Sequence, residues 1–237
     1  EVGSDGVLVI SGTGAIADYT DGTDAPWYAH RDMITSITVE EGITAIGTAV
    51  FRVLGGVKNA TLPNTLLKIG AYAFDYCEKL ESVNVQGGVT SIGDWAFGYC
   101  RSLTEIDLPD SVKTLGKYLF YKCSSLASVG LPSDITAITD GMFENCYSLK
   151  SIDWQNGITS IGETAFAGCV SLNYVDIPEG VTTIGAGAFR ECEWLYTLVI
   201  PESVTSIGAG ILDVCPYVTI CGYEGSMAEQ DATANGH

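Results

Sequence analysis

The sequence contains few of the side chains on which enzymes and metal sites depend. Only two histidines occur in 237 residues, His30 and His237. Histidine is a frequent general base and the commonest metal ligand, so its scarcity argues against triad hydrolases and histidine-based metal centres. The sequence also lacks a recognisable nucleophile motif. We therefore expect a protein that is not an enzyme and that uses no cofactor and no metal.

Positive charge and long apolar runs are also scarce. Eleven Lys and Arg stand against 29 Asp and Glu, which gives a formal net charge of −18. Such an acidic chain repels the phosphates of nucleic acids and of anionic lipids. No segment approaches the ~20 consecutive apolar residues of a membrane-spanning helix. We expect neither a nucleic-acid partner nor a membrane span.

A repeat of 23 residues organises the chain, and phenylalanine marks it most clearly. Hydrophobic residues make up 46% of the sequence and charged residues only 17%, so intrinsic disorder is not expected. Phenylalanine recurs with the same spacing seven times, and glycine, cysteine and leucine follow the same period. The phenylalanine column consists of Phe51, Phe74, Phe97, Phe120, Phe143, Phe166 and Phe189, followed by Leu212.

One repeat, residues 103–125, indicates how each unit folds. Ile106 and Leu108 are two residues apart, so both point to one face of an extended strand. Leu115 belongs to a second short extended segment. Residues 117–122 break this alternation and predict one helical turn that places Phe120 inward. Each unit is thus one coil of a solenoid.

A single coil cannot bury its apolar side chains, so the coils must stack. The sequence predicts an α/β solenoid of about eight coils, built from strands and short helical turns and forming one domain. Residues 1–33 form an amino-terminal cap, 34–220 the repeats and 221–237 a carboxy-terminal cap. In the first cap we expect a strand at residues 7–10 and a lid made of Trp27 and Tyr28. In the second, the capping-box spacing of Ser226 and Glu229 predicts a helix over about residues 227–234, ended by Asn235 and Gly236.

Two columns of the repeat carry specific predictions. Seven cysteines share the period, and only Cys221 lies outside it. A regular stack points these side chains into the core, so we predict reduced, buried thiols rather than disulfides. Glycine occupies a corner of nearly every coil, where a Cβ would obstruct the backbone. Thr139 takes that place in one coil and predicts a locally altered corner.

The repeat resembles the BspA-like, or Treponema pallidum-type, leucine-rich repeats of bacterial surface proteins. The resemblance rests on the pattern Leu-x-x-Ile-x-[Leu/Ile]-Pro-x-x-Val-x-x-Ile-Gly-x-x-Ala-Phe-x-x-Cys over about residues 34–220. It implies a leucine-rich repeat solenoid in a secreted or surface-attached bacterial protein, whose relatives are linked to adhesion and protein binding and often come from host-associated species. It implies no catalytic residues, because the motif consists of core positions.

The outward side chains of the first strand of each coil are the candidate binding residues. Most of them are small and polar, and acids gather in the middle coils. If the surface binds, the residues that set its register are Glu105, Asp107, Asp153, Tyr174 and Asp176. Trp194 and Tyr196 near the same edge would add aromatic anchors. The alternative interpretation, a solvated strand face without a ligand, stays open at this stage.

From these residues and the resemblance we expect an extracellular or cell-surface scaffold for protein–protein interaction or adhesion. Its partner would be a protein or a glycan, with host molecules among the candidates. We expect the chain to be a monomer. The alternative function is that of a non-catalytic binding module in a larger surface or carbohydrate-active protein.

Overall fold

A computed structural model describes residues 1–235 and shows a parallel β-solenoid of about eight coils. We number the coils 1–8, as residues 34–56, 57–79, 80–102, 103–125, 126–148, 149–171, 172–194 and 195–217. Each coil passes through a first strand, a second short strand and a loop. The first strands form the strand face, the second strands form a second sheet side, and the outward side of the loops forms the turn face.

Parallel strands stack in two rows along the solenoid. The strand face contains β1 (Val7–Ile10), β3 (Ser36–Val39), β5 (Asn59–Thr61), β7 (Ser82–Asn84), β9 (Glu105–Asp107), β11 (Ser128–Gly130), β14 (Tyr174–Asp176), β16 (Thr197–Val199) and β18 (Thr219–Cys221). The second row contains β2 (Gly14–Ala15), β4 (Ile43–Ile46), β6 (Lys68–Ile69), β8 (Ser91–Ile92), β10 (Thr114–Leu115), β12 (Ala137–Ile138), β13 (Ser160–Ile161), β15 (Thr183–Ile184) and β17 (Ser206–Ile207).

The two rows divide into shorter sheets. The strand face consists of the sheets β1-β3-β5-β7, β9-β11 and β14-β16-β18. The second row consists of β2-β4-β6-β8-β10 and β12-β13-β15-β17. Partners in register are one repeat apart, as for Ser36 with Asn59 and Asn59 with Ser82. The 23-residue period is therefore the length of one coil.

The phenylalanine column forms the centre of the core. All seven Phe side chains and Leu212 are buried. Successive rings lie 5.2–5.9 Å apart between centroids, most of them nearly parallel. Aromatic pairs at this separation attract one another beyond the area they bury. The predicted solenoid with one shared core is confirmed.

The cysteine column is buried and unpaired, as predicted. Cys77, Cys100, Cys123, Cys146, Cys169, Cys192 and Cys215 are free and buried, and Cys221 is exposed. Each of the seven thiols donates a hydrogen bond to the carbonyl of a phenylalanine in the preceding coil, at 3.0–3.3 Å. Burial raises the pKa of Cys215 to about 11 and raises that of Cys77, Cys100, Cys146, Cys169 and Cys192 well above the usual range. The column thus joins adjacent coils while remaining chemically protected.

The loops differ from the predicted helical turns. In coil 4 the N–H groups of Tyr118, Phe120 and Lys122 donate to carbonyls of coil 5, instead of closing a helix within their own coil. This pattern requires two residues per loop in the left-handed conformation. The first left-handed column is Ala49, Tyr72, Trp95, Tyr118, Gly141, Thr164, Gly187 and Gly210, and the second is Val53, Tyr76, Tyr99, Lys122, Asn145, Gly168, Glu191 and Val214. Periodicity did not reveal this because it reports side-chain direction, not peptide orientation.

Thr139 alters its corner, as predicted. Its hydroxyl donates to the carbonyl of Gly116 at 2.7 Å. The second row is interrupted at the same place, between β10 and β12. At Gly116 itself, an added Cβ would overlap the backbone of Gly93 and Asp94, which explains the glycine in this column.

Both ends are capped. Trp27 packs against Phe51 with centroids 5.9 Å apart, and its indole Nε1 donates to the carbonyl of Val50. Tyr19 packs edge-on against Trp27. A short 3-10 turn follows at Tyr28–His30.

At the other end, the helix α1 covers the last coil over Met227–Asn235, close to the predicted bounds. The amide of Glu229 donates to the hydroxyl of Ser226, and the Glu229 carboxylate accepts from Gly225. The predicted stop at Gly236 lies outside the described residues.

Candidate functional site

The strand face carries four of the five predicted residues on regular strands. Glu105 and Asp107 lie on β9 with exposed side chains, and Tyr174 and Asp176 lie on β14 in the same orientation. The Tyr174 hydroxyl donates to the Asp176 carboxylate at 3.4 Å. β9 and β14 belong to coils 4 and 7, about 14 Å apart at the usual strand spacing. The acids therefore form two spots and not one continuous patch.

Asp153, the fifth predicted residue, does not lie on a strand. Residues 151–155 have no regular secondary structure, so the prediction of a first strand in coil 6 is wrong. The cause is Trp154, which takes the inward place that Leu131 and Ile177 fill in the flanking coils. Its ring is only partly buried and packs against the edge of Phe166 at 5.9 Å. A side chain of this size pushes the segment outward and interrupts the ladder, leaving Asp153 exposed between the two acidic spots.

An exposed aromatic cluster lies at the carboxy-terminal edge of the strand face. Trp194 stacks on Tyr217 at 6.0 Å, and Tyr196 contacts the same ring at 6.1 Å. These three side chains are 53%, 57% and 49% exposed, and Tyr174 on the neighbouring strand is 53% exposed. The sequence had indicated Trp194 and Tyr196 but not Tyr217. Its place one repeat after Trp194 was the signal that would have found it.

The chemistry available on this surface is that of binding. The carboxylates and the tyrosine hydroxyl accept and donate hydrogen bonds, and the aromatic cluster offers apolar area. Among residues 1–235, no group of three metal-binding side chains is found. The Asp18, Asp21 and Asp24 carboxylates accept hydrogen bonds from backbone amides of nearby residues, which accounts for their clustering.

Among the side chains whose burial the structure describes, the one buried carboxylate lies elsewhere, beneath the turn face. Asp75 is buried and forms an ion pair with Arg52, whose Nε lies 2.8 Å from Oδ2. Its other oxygen, Oδ1, has no hydrogen-bond partner among the described residues. Burial raises the pKa of Asp75 to about 6, although Arg52 acts in the opposite direction. This pair lies away from the strand face and joins coil 1 to coil 2.

The chain belongs to the family of BspA-type leucine-rich repeat proteins. The family model, described as a BspA type leucine rich repeat region, matches in six copies over residues 26–146 and 90–219. Leucine-rich repeats of this family typically serve as non-catalytic scaffolds. A search of curated proteins found no match.

Solved structures of bacterial leucine-rich repeat proteins share the fold. One from Eubacterium ventriosum is 22% identical with a TM-score of 0.58, and the match covers 94% of this chain and 93% of that one. One from Bacteroides ovatus is 23% identical with a TM-score of 0.52, covering 79% of this chain and 64% of that one. These similarities show the fold. Within residues 1–235, no helix is both long and apolar enough to cross a bilayer.

Proposed function

We propose that this protein is an extracellular or cell-surface scaffold that holds a protein or glycan partner on its strand face. The observation that carries the proposal is the exposed cluster of Trp194, Tyr196 and Tyr217 beside the acidic strand β14. Aromatic side chains with polar tips dominate binding hot spots, and exposed carboxylates steer a basic or hydroxyl-rich partner. Binding would therefore be centred on coils 7 and 8, with Asp153, Asp107 and Glu105 extending it toward the middle coils.

The cysteine column is compatible with an extracellular location, since only Cys221 of the eight thiols is exposed. A chain with exposed thiols forms unwanted disulfides in an oxidising environment. Here the seven periodic thiols are buried, and burial raises the pKa of the Cys77 and Cys169 thiols far above the usual range. Most of the thiols are thus protected without a reducing compartment. We propose no catalytic activity, in keeping with the scarcity of histidine and with the scaffold role typical of the family.

The proposal is tested by capture of purified extracellular matrix proteins and by a glycan array. The double variant Asp153→Lys/Asp176→Lys removes both central acids, and Trp194→Ser gives coil 7 the residue that coil 6 has at the same position, Ser171. Both should lower capture at least about tenfold while leaving the melting temperature unchanged.

Thr183→Lys serves as the matched control, because it adds a positive charge to an exposed position on the second sheet side. It should leave capture unaltered. Equal capture by the wild type and the strand-face variants would exclude this surface as the binding site.

A further inference from the structure

A ridge of six aromatic side chains lies on the turn face, away from the proposed binding surface. It occupies coils 2–4 only and consists of Tyr72, Tyr76, Trp95, Tyr99, Tyr118 and Tyr121. Tyr76 stacks on Tyr99 at 4.0 Å, and Trp95 lies 4.7 Å from both Tyr118 and Tyr121. All six side chains remain partly accessible to solvent.

The coil itself does not require these rings. Tyr72, Trp95 and Tyr118 have φ values of 55–57°, a conformation that is sterically costly for bulky side chains. At the same place coils 5–8 have Gly141, Thr164, Gly187 and Gly210, and three of these four are glycines that adopt it without that cost. Coils 5–8 nevertheless form the same loops and the same core. Stacking between the rings offsets part of this conformational energy. The folding of the coil alone, however, does not explain why large aromatic residues occur at these positions.

The charged side chains of the turn face also differ between coils 1–4 and coils 5–8, as the sizes of the side chains do. The loops of coils 1–4, residues 47–56, 70–79, 93–102 and 116–125, contain five Lys and Arg against three Asp and Glu. The loops of coils 5–8 contain one Arg and no Lys against six Asp and Glu; these loops are residues 139–148, 162–171, 185–194 and 208–217. On the ridge, the Lys122 ammonium lies 5.3 Å from the Tyr99 ring and 5.2 Å from the Tyr121 ring. At the two left-handed columns and between them, one half of the face is thus aromatic and basic, and the other half is mostly small and acidic. The exposed Tyr147, Trp194 and Tyr217 of coils 5–8 lie at the ends of their loops, outside these columns and next to the strand face.

We propose that two copies of this chain associate through their turn faces as an antiparallel two-fold dimer. The dyad runs across the solenoid between coils 4 and 5, so coil 2 faces coil 7, coil 3 faces coil 6 and coil 4 faces coil 5. This two-fold rotation reverses the order of the coils but keeps the position within the coil. Each column of equivalent side chains therefore faces the same column of the second copy.

The pairing that results is complementary in size and in charge. In the first left-handed column, Tyr72 faces Gly187 of the partner subunit, Trp95 faces Thr164 of the partner subunit and Tyr118 faces Gly141 of the partner subunit. In the second, Tyr99 faces Gly168 of the partner subunit. Between these columns, Arg52 faces Asp213 of the partner subunit. Four of the six ridge residues therefore meet small ones, and a cation meets a carboxylate. The other two, Tyr76 and Tyr121, face Glu191 of the partner subunit and Glu144 of the partner subunit.

A parallel two-fold arrangement lacks this complementarity. It places every coil opposite its own copy and reverses the order of the columns. The two aromatic ridges of coils 2–4 then collide, and the basic loops of coils 1–4 face each other. Like charges in contact oppose association. The antiparallel arrangement is the one that the distribution of side chains favours.

The size of the face limits the strength of the dimer. Eight coils at ~4.8 Å and about one helix diameter in width bury roughly 800 Å² over both copies. That is below the ~1,200 Å² of standard interfaces, and the net charge of each copy adds repulsion. We expect a dissociation constant on the order of 100 µM. The expectation of a monomer then holds at low concentration.

Sedimentation velocity from roughly 10 µM to 1 mM tests the proposal, because this range brackets the expected dissociation constant. The wild type should shift from monomer to dimer. The triple variant Tyr72→Gly/Trp95→Thr/Tyr118→Gly gives coils 2–4 residues found at the same position in coils 5–8, so it should fold. Its dissociation constant for the dimer should be at least about tenfold higher than that of the wild type. Tyr174→Thr, an exposed tyrosine changed to the residue that coil 8 carries on the strand face, is the control and should dimerise as the wild type does. A monomeric wild type across the range, or a triple variant that dimerises unchanged, would overturn the proposal.

Disulfide trapping tests the register separately. In a Cys221→Ser background, chains carrying Tyr76→Cys are mixed with chains carrying Glu191→Cys and oxidised. The antiparallel dimer brings these positions of coils 2 and 7 together, so only the mixture should form a linked dimer. Cross-linking of the Tyr76→Cys chain with itself, or no cross-link in the mixture, would refute this register.

Discussion

Replacing Phe97 by alanine measures how much one rung of the aromatic column contributes to stability. The Phe97 ring is fully buried and lies 5.4 Å from Phe74 and 5.9 Å from Phe120, nearly parallel to both. Truncation of a buried Phe leaves a cavity and costs ~3–5 kcal/mol. The loss of two stacked pairs, each contributing about 0.5–1.5 kcal/mol, places Phe97→Ala in the upper part of that range. For a chain of this length the melting temperature should fall by roughly 10 °C.

The assay is urea or thermal unfolding followed by circular dichroism. Phe97→Leu is the matched variant, because Leu212 fills the same position in coil 8. It keeps most of the apolar volume, so its cost should be about 1–2 kcal/mol. A loss below ~1 kcal/mol for Phe97→Ala would refute the assignment of these rings to a shared core.

Three further predictions concern the thiols, the glycine corners and the buried acid. Thiol titration of the native protein should detect only the exposed Cys221, and titration after denaturation without reductant should detect all eight cysteines; recovery of half of them or fewer would indicate disulfides. Gly116→Ala should cost at least ~2 kcal/mol of unfolding free energy, because its Cβ overlaps the backbone of the preceding coil, whereas Gly87→Ala, with nothing within 4 Å, should change stability by less than ~0.5 kcal/mol. Because Asp75 binds its proton more tightly in the folded chain, with a pKa of about 6, than in the unfolded chain, its ionisation lowers stability as the pH rises from ~4 through ~6. Asp75→Asn should therefore be more stable than the wild type near pH 7 and lose this advantage near pH 4; a pH-independent difference would contradict this.

The repeat predicted the core well because an apolar residue that recurs at one position of every coil indicates that this position is buried. Phe51 and its six counterparts are buried wherever the period places them, and the cysteine column follows. Thr139 was also informative, since a side chain in a glycine corner must find a hydrogen-bond partner or displace the backbone. These features depend on side-chain type at a fixed place in the coil, which a single sequence displays directly.

Other features depend on how neighbouring coils fit, and the sequence predicted them less well. Trp154 is apolar and in phase, so the period predicts an ordinary inward residue, yet its size breaks the strand that would have carried Asp153. The left-handed conformation of Tyr72 and Trp95 is also unexpected, because bulky residues avoid it in isolation. Only the hydrogen bonds to the next coil, which periodicity does not record, impose it here.

Deletion of one whole coil tests the stacking of equivalent coils most directly. Removing residues 57–79 joins Gly56 to Leu80 and places β3 beside β7 with every column still in register. This shortened chain should retain its β-sheet circular dichroism and unfold cooperatively, whereas removal of residues 60–79 should shift all later columns and prevent folding. If both deletions unfold the protein equally, or both leave it folded, the coils are not equivalent units of one continuous core.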